Sequence, residues 1–434
     1  MVSCESCTTL FTRMKTLLLE KAMTFKYIAL EKIIYIIFFA IYTILVFLFS
    51  DFIGQTKLLQ MLSENVIFFT TIFPCTTPSC LSHTLLTIFM EAYFFYHFSL
   101  FLIALCIKKD DYKSTIIELQ KGYWGLKLLY ISVLILITLF LPRFIHTVFY
   151  YISLIGAFAF ILYTLISFLN FAAVINVKLV DKVNVERRCD PYVILLLIIS
   201  FSGFAIAIGL TIFIYACFSH SSTEKGECSY SIWNTLFTSV NFICCIIGTI
   251  ISLLPIVRLR KPTSGIFQSS VVSGYTCYLL LDAILSLPCD QLNGCWSVTD
   301  CNEEYTLMGN YELSAFTGIL FTIVVIAYQT YRNSSEIAEM SFIDDKLPDR
   351  TDALTGEKYG HYSYWKYHLG FCLAVLFTMQ NMSDWSYLPS DGKDIEISTT
   401  AYFIKIADVF ICHILYIWTL IAPILFPNRN FSEI

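Results

Sequence analysis

A small set of side chains that could do chemistry stands inside long apolar stretches: Glu91, His97, Asn170, Asn176, Asp282, His368, Asp408 and His413. An ionisable or strongly polar group at bilayer depth is expensive unless it is paired or faces a wet cavity. Each of these residues therefore marks a packing joint or a polar path through a membrane. Glu91 and His97 are separated by six positions, about 600° of helical rotation, which puts them on different faces and argues against a direct pair. Glu91 and Asp282 suit an interhelical hydrogen bond or ion pair as well as they suit the lining of a groove. His368 stands near one end of its apolar segment, where an imidazole commonly satisfies a backbone carbonyl. Lys405 falls where its stem could snorkel to an interface, and Trp385 and Trp418 read as interface anchors or packing.

None of these residues sits in a motif with a known reaction. There is no nucleophile elbow, no phosphate-cradling loop, no zinc-protease helix and no kinase signature. Cys4 and Cys7, in SCESC, have the spacing of half a zinc site, but no second Cys or His pair follows nearby. The expectation is a protein without metal or cofactor that is not an enzyme. A net charge of -5 and a pI near 5.8 leave no basic face for nucleic acid.

The elements that must position these groups are apolar helices. Of the 434 residues 57% are hydrophobic and 14% charged, against about 25% charged in a soluble domain. About 20 mostly apolar residues span a bilayer. That criterion predicts about ten spans, near 33–50, 85–107, 123–141, 148–173, 192–218, 232–257, 267–287, 313–328, 364–382 and 402–426. Residues 61–73 are short, carry Glu64 and Asn65, and read as interfacial or loop.

With the N-terminus inside, every Lys and Arg but Lys57, Arg143, Lys225, Lys393 and Lys405 falls on the cytoplasmic side, as insertion requires. The predicted organisation is a cytoplasmic segment 1–32, a membrane domain 33–426 and a cytoplasmic tail 427–434. An outer cysteine-containing loop covers 288–312, and an acidic cytoplasmic loop, a candidate dock for trafficking adaptors, covers 329–361. Cys75, Cys80, Cys228, Cys289, Cys295 and Cys301 all fall in outer loops, where disulfides can form; six cysteines allow fifteen pairings, and spacing chooses none. Endomembrane and plasma membrane both fit this topology, and a homo-oligomer is one arrangement left open.

Several blocks resemble the serine incorporator family of eukaryotic membrane proteins. They are KGYWGLK (121–127), FLPRF (140–144), GAFAFIL (156–162), FQSSVVSGYTCYLLLDAILSLPC (267–289), YSYWKYHLGFCLAVLFTMQNMSDW (362–385) and YIWTLIAPILFPNRNF (416–431), in the family's order. Where the family has an Asp-Phe-Ala-His-Ser-Trp-Asn run, this chain has NFAAVIN, Asn170 to Asn176. The resemblance implies two four-helix bundles crossed by a long diagonal helix, here the one containing Gly156 to Asn176. It also implies membrane lipids as partners, through either the supply of serine to phosphatidylserine and sphingolipid synthesis or the movement of phospholipids between leaflets.

The expected function is passive lipid movement along a polar seam, with Asn170, Asn176, Glu91, Asp282 and His368 as candidate lining residues. The alternative is a serine carrier or scaffold. A carrier calls for helices broken at the midplane, and Gly203, Gly209 and Gly274 are the candidate break points. A structural or envelope-perturbing role follows from the family association alone.

Overall fold

The computed structural model describes residues 30–54, 78–105, 119, 122–180, 182–183, 190–218, 231–260, 264–287, 316, 318–328, 330, 364–383, 385 and 399–426. Among them every regular element is helical. In chain order these are α1 (Leu30–Gly54), α2 (Pro78–Leu105), α3 (Trp124–Leu139), α4 (Arg143–Val180), α5 (Pro191–Phe218) and α6 (Ser231–Leu253). Then follow α7 (Pro255–Arg260), α8 (Ile266–Leu285), α9 (Gly318–Tyr328), α10 (Tyr364–Met382) and α11 (Thr400–Leu425).

Proline sets several of these boundaries, because it fits the first helical turn, where its missing N–H is not needed. Pro78, Pro191 and Pro255 each open a helix. Ahead of α5, Asp190 acts as an N-cap, its carboxylate accepting the Tyr192 N–H at 2.8 Å. Pro255 also corrects an expectation: the span predicted to reach Val257 ends at Leu253, and a short helix resumes at Pro255.

Helices α1, α2, α4, α5, α6 and α11 are long and apolar enough to cross a bilayer, whereas α3 and α9 are apolar but shorter. Helices α8 and α10 are long enough but more polar, and burial explains why. Helix α8 buries Gln268, Ser269, Ser270, Ser273 and Thr276 against its neighbours, and α10 buries His368, Thr378, Gln380 and Asn381. Many buried hydroxyls are satisfied within their own helix: Thr211 donates to the Ala207 carbonyl and Ser270 to that of Phe267. By contrast α5 turns Leu197, Ile198, Phe201 and Ile212 outward, the face a lipid-exposed helix needs.

Helix α4 is the longest, 38 residues. Its apolar part, Phe144–Val177, runs 34 residues. At the rise of an α-helix that is about 51 Å, which fits a hydrocarbon layer of about 30 Å only if the helix is strongly inclined.

The chain forms two compact units, whose boundary falls within α4 between Phe160 and Ile161. Unit A, residues 13–160 and 315–397, holds α1, α2, α3, the first half of α4, α9 and α10. Its hub is α2, which packs on α1, α3 and α10. Tyr35 touches Trp124, Tyr367 and His368, so the starts of α1, α3 and α10 meet near the last third of α2, where His97 lies. At the opposite end Thr138 of α3 donates to the Ile88 carbonyl of α2. Helix α2 therefore runs antiparallel to the other three.

Unit B, residues 1–12, 161–314 and 398–434, holds the second half of α4 with α5, α6, α7, α8 and α11. Its hub is α8, packed on α5, α6 and α11. Helices α5 and α8 run parallel, Gly203 facing Ser270 and Thr211 facing Cys277. Helices α6 and α11 run the other way: Tyr215 and Phe218 of α5 meet Ser239 and Asn234 of α6 in reverse order, and Asn234 with Tyr402, Asn241 with His413 and Gly248 with Tyr416 set α11 parallel to α6. Such alternation is what a chain threading repeatedly through a layer produces.

The glycines predicted as break points lie inside unbroken helices. Gly203 serves close packing instead: a Cβ there would stand 2.9 Å from the Ser270 carbonyl oxygen, and one on Gly274 3.3 Å from the Gly203 carbonyl oxygen. Small residues of this kind let helix backbones approach where lipid supplies no hydrophobic drive.

Both chain ends, the loops 288–312 and 331–361, and Cys75, Cys228, Cys289, Cys295 and Cys301 lie outside the described residues, as does the side chain of Cys80 at the start of α2. Among the described residues Cys217, Cys244, Cys245, Cys277, Cys372 and Cys412 are free thiols.

Candidate functional site

Each hub helix carries one carboxylate at its packed face, and each carboxylate meets a base. In unit A, Glu91 stands midway along α2 and is fully buried. Its Oε2 lies 2.5 Å from Nδ1 of His146, in the first turns of α4. The imidazole is 21% exposed, so the pair runs from the bundle interior to its surface. The second carboxylate oxygen, Oε1, is buried with no hydrogen-bond partner.

In unit B, Asp282 in the last turn of α8 pairs with Lys405 of α11, Oδ2 to Nζ 2.8 Å, the Asp282 side chain 15% exposed. Lys405 was expected to snorkel to an interface. It is buried instead, its ammonium turned inward to the carboxylate, because the pairing compensates the loss of water. One helical turn on, Asp408 is 2% exposed.

His368 is drawn into a different arrangement. Its Nδ1 lies 3.3 Å from Nδ1 of His97, so one imidazole donates and the other accepts. Phe371 stacks on the His97 ring at 4.7 Å, and Tyr35 stands edge-on to His368 at 5.4 Å. Lys127 completes the cluster, its Nζ 4.7 Å from the Tyr35 ring centroid and 4.2 Å from that of Trp124. The side chain reaches the end of the bundle where α1, α3 and α10 begin, and it is buried among aromatic rings.

Polar amides tie the remaining helices. Gln380 donates to Ser153 Oγ and to the Tyr150 carbonyl, joining α10 to α4, while Tyr150 donates to the carbonyl of Trp385. Trp385 is buried, so packing and not interface anchoring is its role; Trp418 is half exposed. In unit B the Asn241 side chain accepts from His413 Nε2 at 2.8 Å and donates to Cys277 Sγ at 3.3 Å. Tyr402 donates to Asn234, whose amide donates to the Phe218 carbonyl.

Of the residues singled out by sequence, His97 and His368 meet each other, whereas Glu91 and Asp282 take partners outside the predicted lining. Glu91 joins His146, His368 joins His97, and Asp282 joins Lys405. Glu91 and His97 are not hydrogen-bonded to each other, as their spacing requires. Asn170 and Asn176 lie on the second half of α4, Asn170 half-buried and Asn176 buried. His146 escaped sequence reading because α4 starts before the apolar run that marked its span; His97 and His413 were flagged without partners. Among the described residues no group of three or more His, Cys, Asp or Glu could hold a metal ion.

Comparison with known proteins agrees with the resemblance. The family model "Serine incorporator (Serinc)" matches residues 3–357 and 339–429. A Nematostella vectensis protein named as a serine incorporator is 30% identical over 348 residues, 73% of this chain and 74% of its own. Serine incorporator 3 of Bos taurus is 26% identical over 386 residues, 79% of each chain. Serine incorporator 2 of Mus musculus is 26% identical over 335 residues, 72% of each. With its apolar helices, its buried acid–base pairs and a family match along nearly its whole length, this multipass membrane protein belongs to the serine incorporator family.

Proposed function

We propose that this chain lets phospholipids equilibrate passively between leaflets, in the service of phosphatidylserine and sphingolipid homeostasis, and is not an enzyme. One observation carries the reading: in each unit the hub carboxylate belongs to a pair with one member partly exposed, His146 at 21% and Asp282 at 15%. The surrounding exterior is apolar, with Phe144, Val148 and Ile152 exposed on α4. A polar spot on such a surface offers a head group hydrogen bonds in place of water and so lowers the desolvation barrier to crossing. No energy source is needed, because the protein speeds an equilibration and does not drive it.

The test is reconstitution into vesicles with labelled phospholipid in both leaflets. The expected result is bleaching of the inner-leaflet label by an external reductant, slowed several-fold by His146→Leu or by Asn170→Leu with Asn176→Leu. Protein-free rates at high protein density would end the proposal. The serine-carrier alternative loses its one sequence argument, since α5 and α8 continue unbroken through Gly203, Gly209 and Gly274.

A further inference from the structure

We propose that Cys245 and Cys277 form a redox-active dithiol in the wall of unit B, which reduces a hydroperoxide on an acyl chain and closes to an interhelical disulfide. The proposal is independent of lipid movement. Cys245 belongs to α6 and Cys277 to α8, two helices packed against each other. Both are free thiols, and they interact with each other.

A buried cysteine ordinarily packs as a small apolar group. Cys277, 1% exposed, is instead held by polar atoms from two other helices. Asn241 Nδ2 donates to its sulfur at 3.3 Å, and Thr211 Oγ1 lies 3.6 Å from it. The Thr211 hydroxyl gives its own hydrogen to the Ala207 carbonyl, so toward Thr211 the thiol is the donor. Cys245 Sγ lies 3.6 Å from Oγ1 of Thr276, the residue next to Cys277, and interacts with the His413 imidazole of α11. The Asn241 oxygen takes the Nε2 hydrogen of His413 at 2.8 Å, which leaves Nδ1 as the basic nitrogen of the neutral ring.

Access separates the two sulfurs. Cys277 is closed off, whereas Cys245 is half-buried between the exposed side chains of Phe242 and Ile246. Cys245 lies about 21 Å along α6 from Ser231 and about 12 Å from Leu253. That places it inside a hydrocarbon layer of about 30 Å. An oxidant that meets it there is one carried by lipid.

The Cys245 sulfur, its proton taken by His413, attacks the outer oxygen of the hydroperoxide. The O–O bond breaks, the alkoxide takes that proton and leaves as an alcohol, and Cys245 becomes a sulfenic acid. The Cys277 sulfur then attacks the Cys245 sulfur; the S–O bond breaks, and hydroxide departs with the Cys277 proton as water. Two thiols give up two electrons to the peroxide, and the products are a disulfide, a lipid alcohol and water.

The experiment places the full chain in nanodiscs with phosphatidylcholine carrying an acyl hydroperoxide, or with hydrogen peroxide in the buffer. Free thiols are then blocked, the disulfide is mapped by peptide mass spectrometry, and the lipid alcohol is measured. The expected result with the acyl hydroperoxide is a Cys245–Cys277 disulfide and an equal amount of alcohol. Cys277→Ala should lose the disulfide but still form alcohol, with a sulfenic acid on Cys245 captured by dimedone. Cys245→Ala should lose disulfide and alcohol together, and Cys244→Ala should keep both. The wild-type measurement needs no substitution, so a variant that fails to fold leaves the proposal testable. A reduced dithiol after exposure, a disulfide from Cys245 to Cys412, alcohol formed undiminished by Cys245→Ala, or equal oxidation by hydrogen peroxide would each overturn it.

Discussion

Nδ1 of His146 lies 2.5 Å from Oε2 of Glu91, joining the start of α4 to the middle of α2. Deleting only the imidazole leaves a fully buried carboxyl group with neither oxygen partnered, a change that costs about 3–5 kcal/mol when a buried pair is broken from one side. His146→Ala should therefore lower the unfolding temperature in detergent clearly more than the double variant Glu91→Leu with His146→Leu. Equal losses would mean that the pair contributes nothing beyond its volume.

Two glycines of α5 supply a matched comparison. Gly203→Ala puts a methyl group 2.9 Å from the Ser270 carbonyl oxygen, whereas a Cβ on Gly209 meets nothing within 4 Å. Forcing helices apart at such a contact costs about 1–3 kcal/mol. Gly209→Ala should be neutral or slightly stabilising. Thermal unfolding of the two variants side by side gives the answer, and similar midpoints would contradict the close approach of α5 and α8.

The Lys127 ammonium above Trp124 predicts a graded response. Trp124→Phe keeps an aromatic face for the cation, and Trp124→Leu removes it, with an expected difference of about 1 kcal/mol. Denaturant or thermal midpoints for the pair would show whether the ring face matters; if Phe and Leu behave alike, the contribution is packing alone.

Asn241→Leu should be among the more damaging single changes in unit B. It removes the acceptor for His413 Nε2 and the donor to Cys277 Sγ together. Stranding a buried donor costs about 1–3 kcal/mol. The check is the thermal midpoint of Asn241→Leu against that of Asn241→Leu with His413→Leu: the double variant should recover part of the loss. No recovery would mean that the imidazole finds another partner.

The helices were legible in the sequence because hydrocarbon imposes a single length and composition on whatever crosses it. The exceptions have local causes. Helix α4 runs past the predicted 148–173 at both ends because Arg143, His146 and Lys178 break the apolar run without breaking the helix. Helix α6 stops early because Pro255 has no N–H to give. The identity of the buried polar residues was legible too, but not their partners. His97 and His368 are 271 positions apart and Asn241 and His413 172 apart, and what joins them is the rotation of each helix about its axis. No pattern along the chain records that rotation. Lys405 was misread for the same reason: its depth suggested an interface, while its direction is set by Asp282.

The Asp282–Lys405 pair also dictates something about how the chain is made. Translation delivers α8 to the membrane well before α11, so Asp282 arrives when the lysine that pairs with it has not been synthesised. Glu91 likewise precedes His146 by 55 residues. During that interval each acid must be sheltered by water, by protonation or by the insertion machinery until the helix that carries its partner arrives.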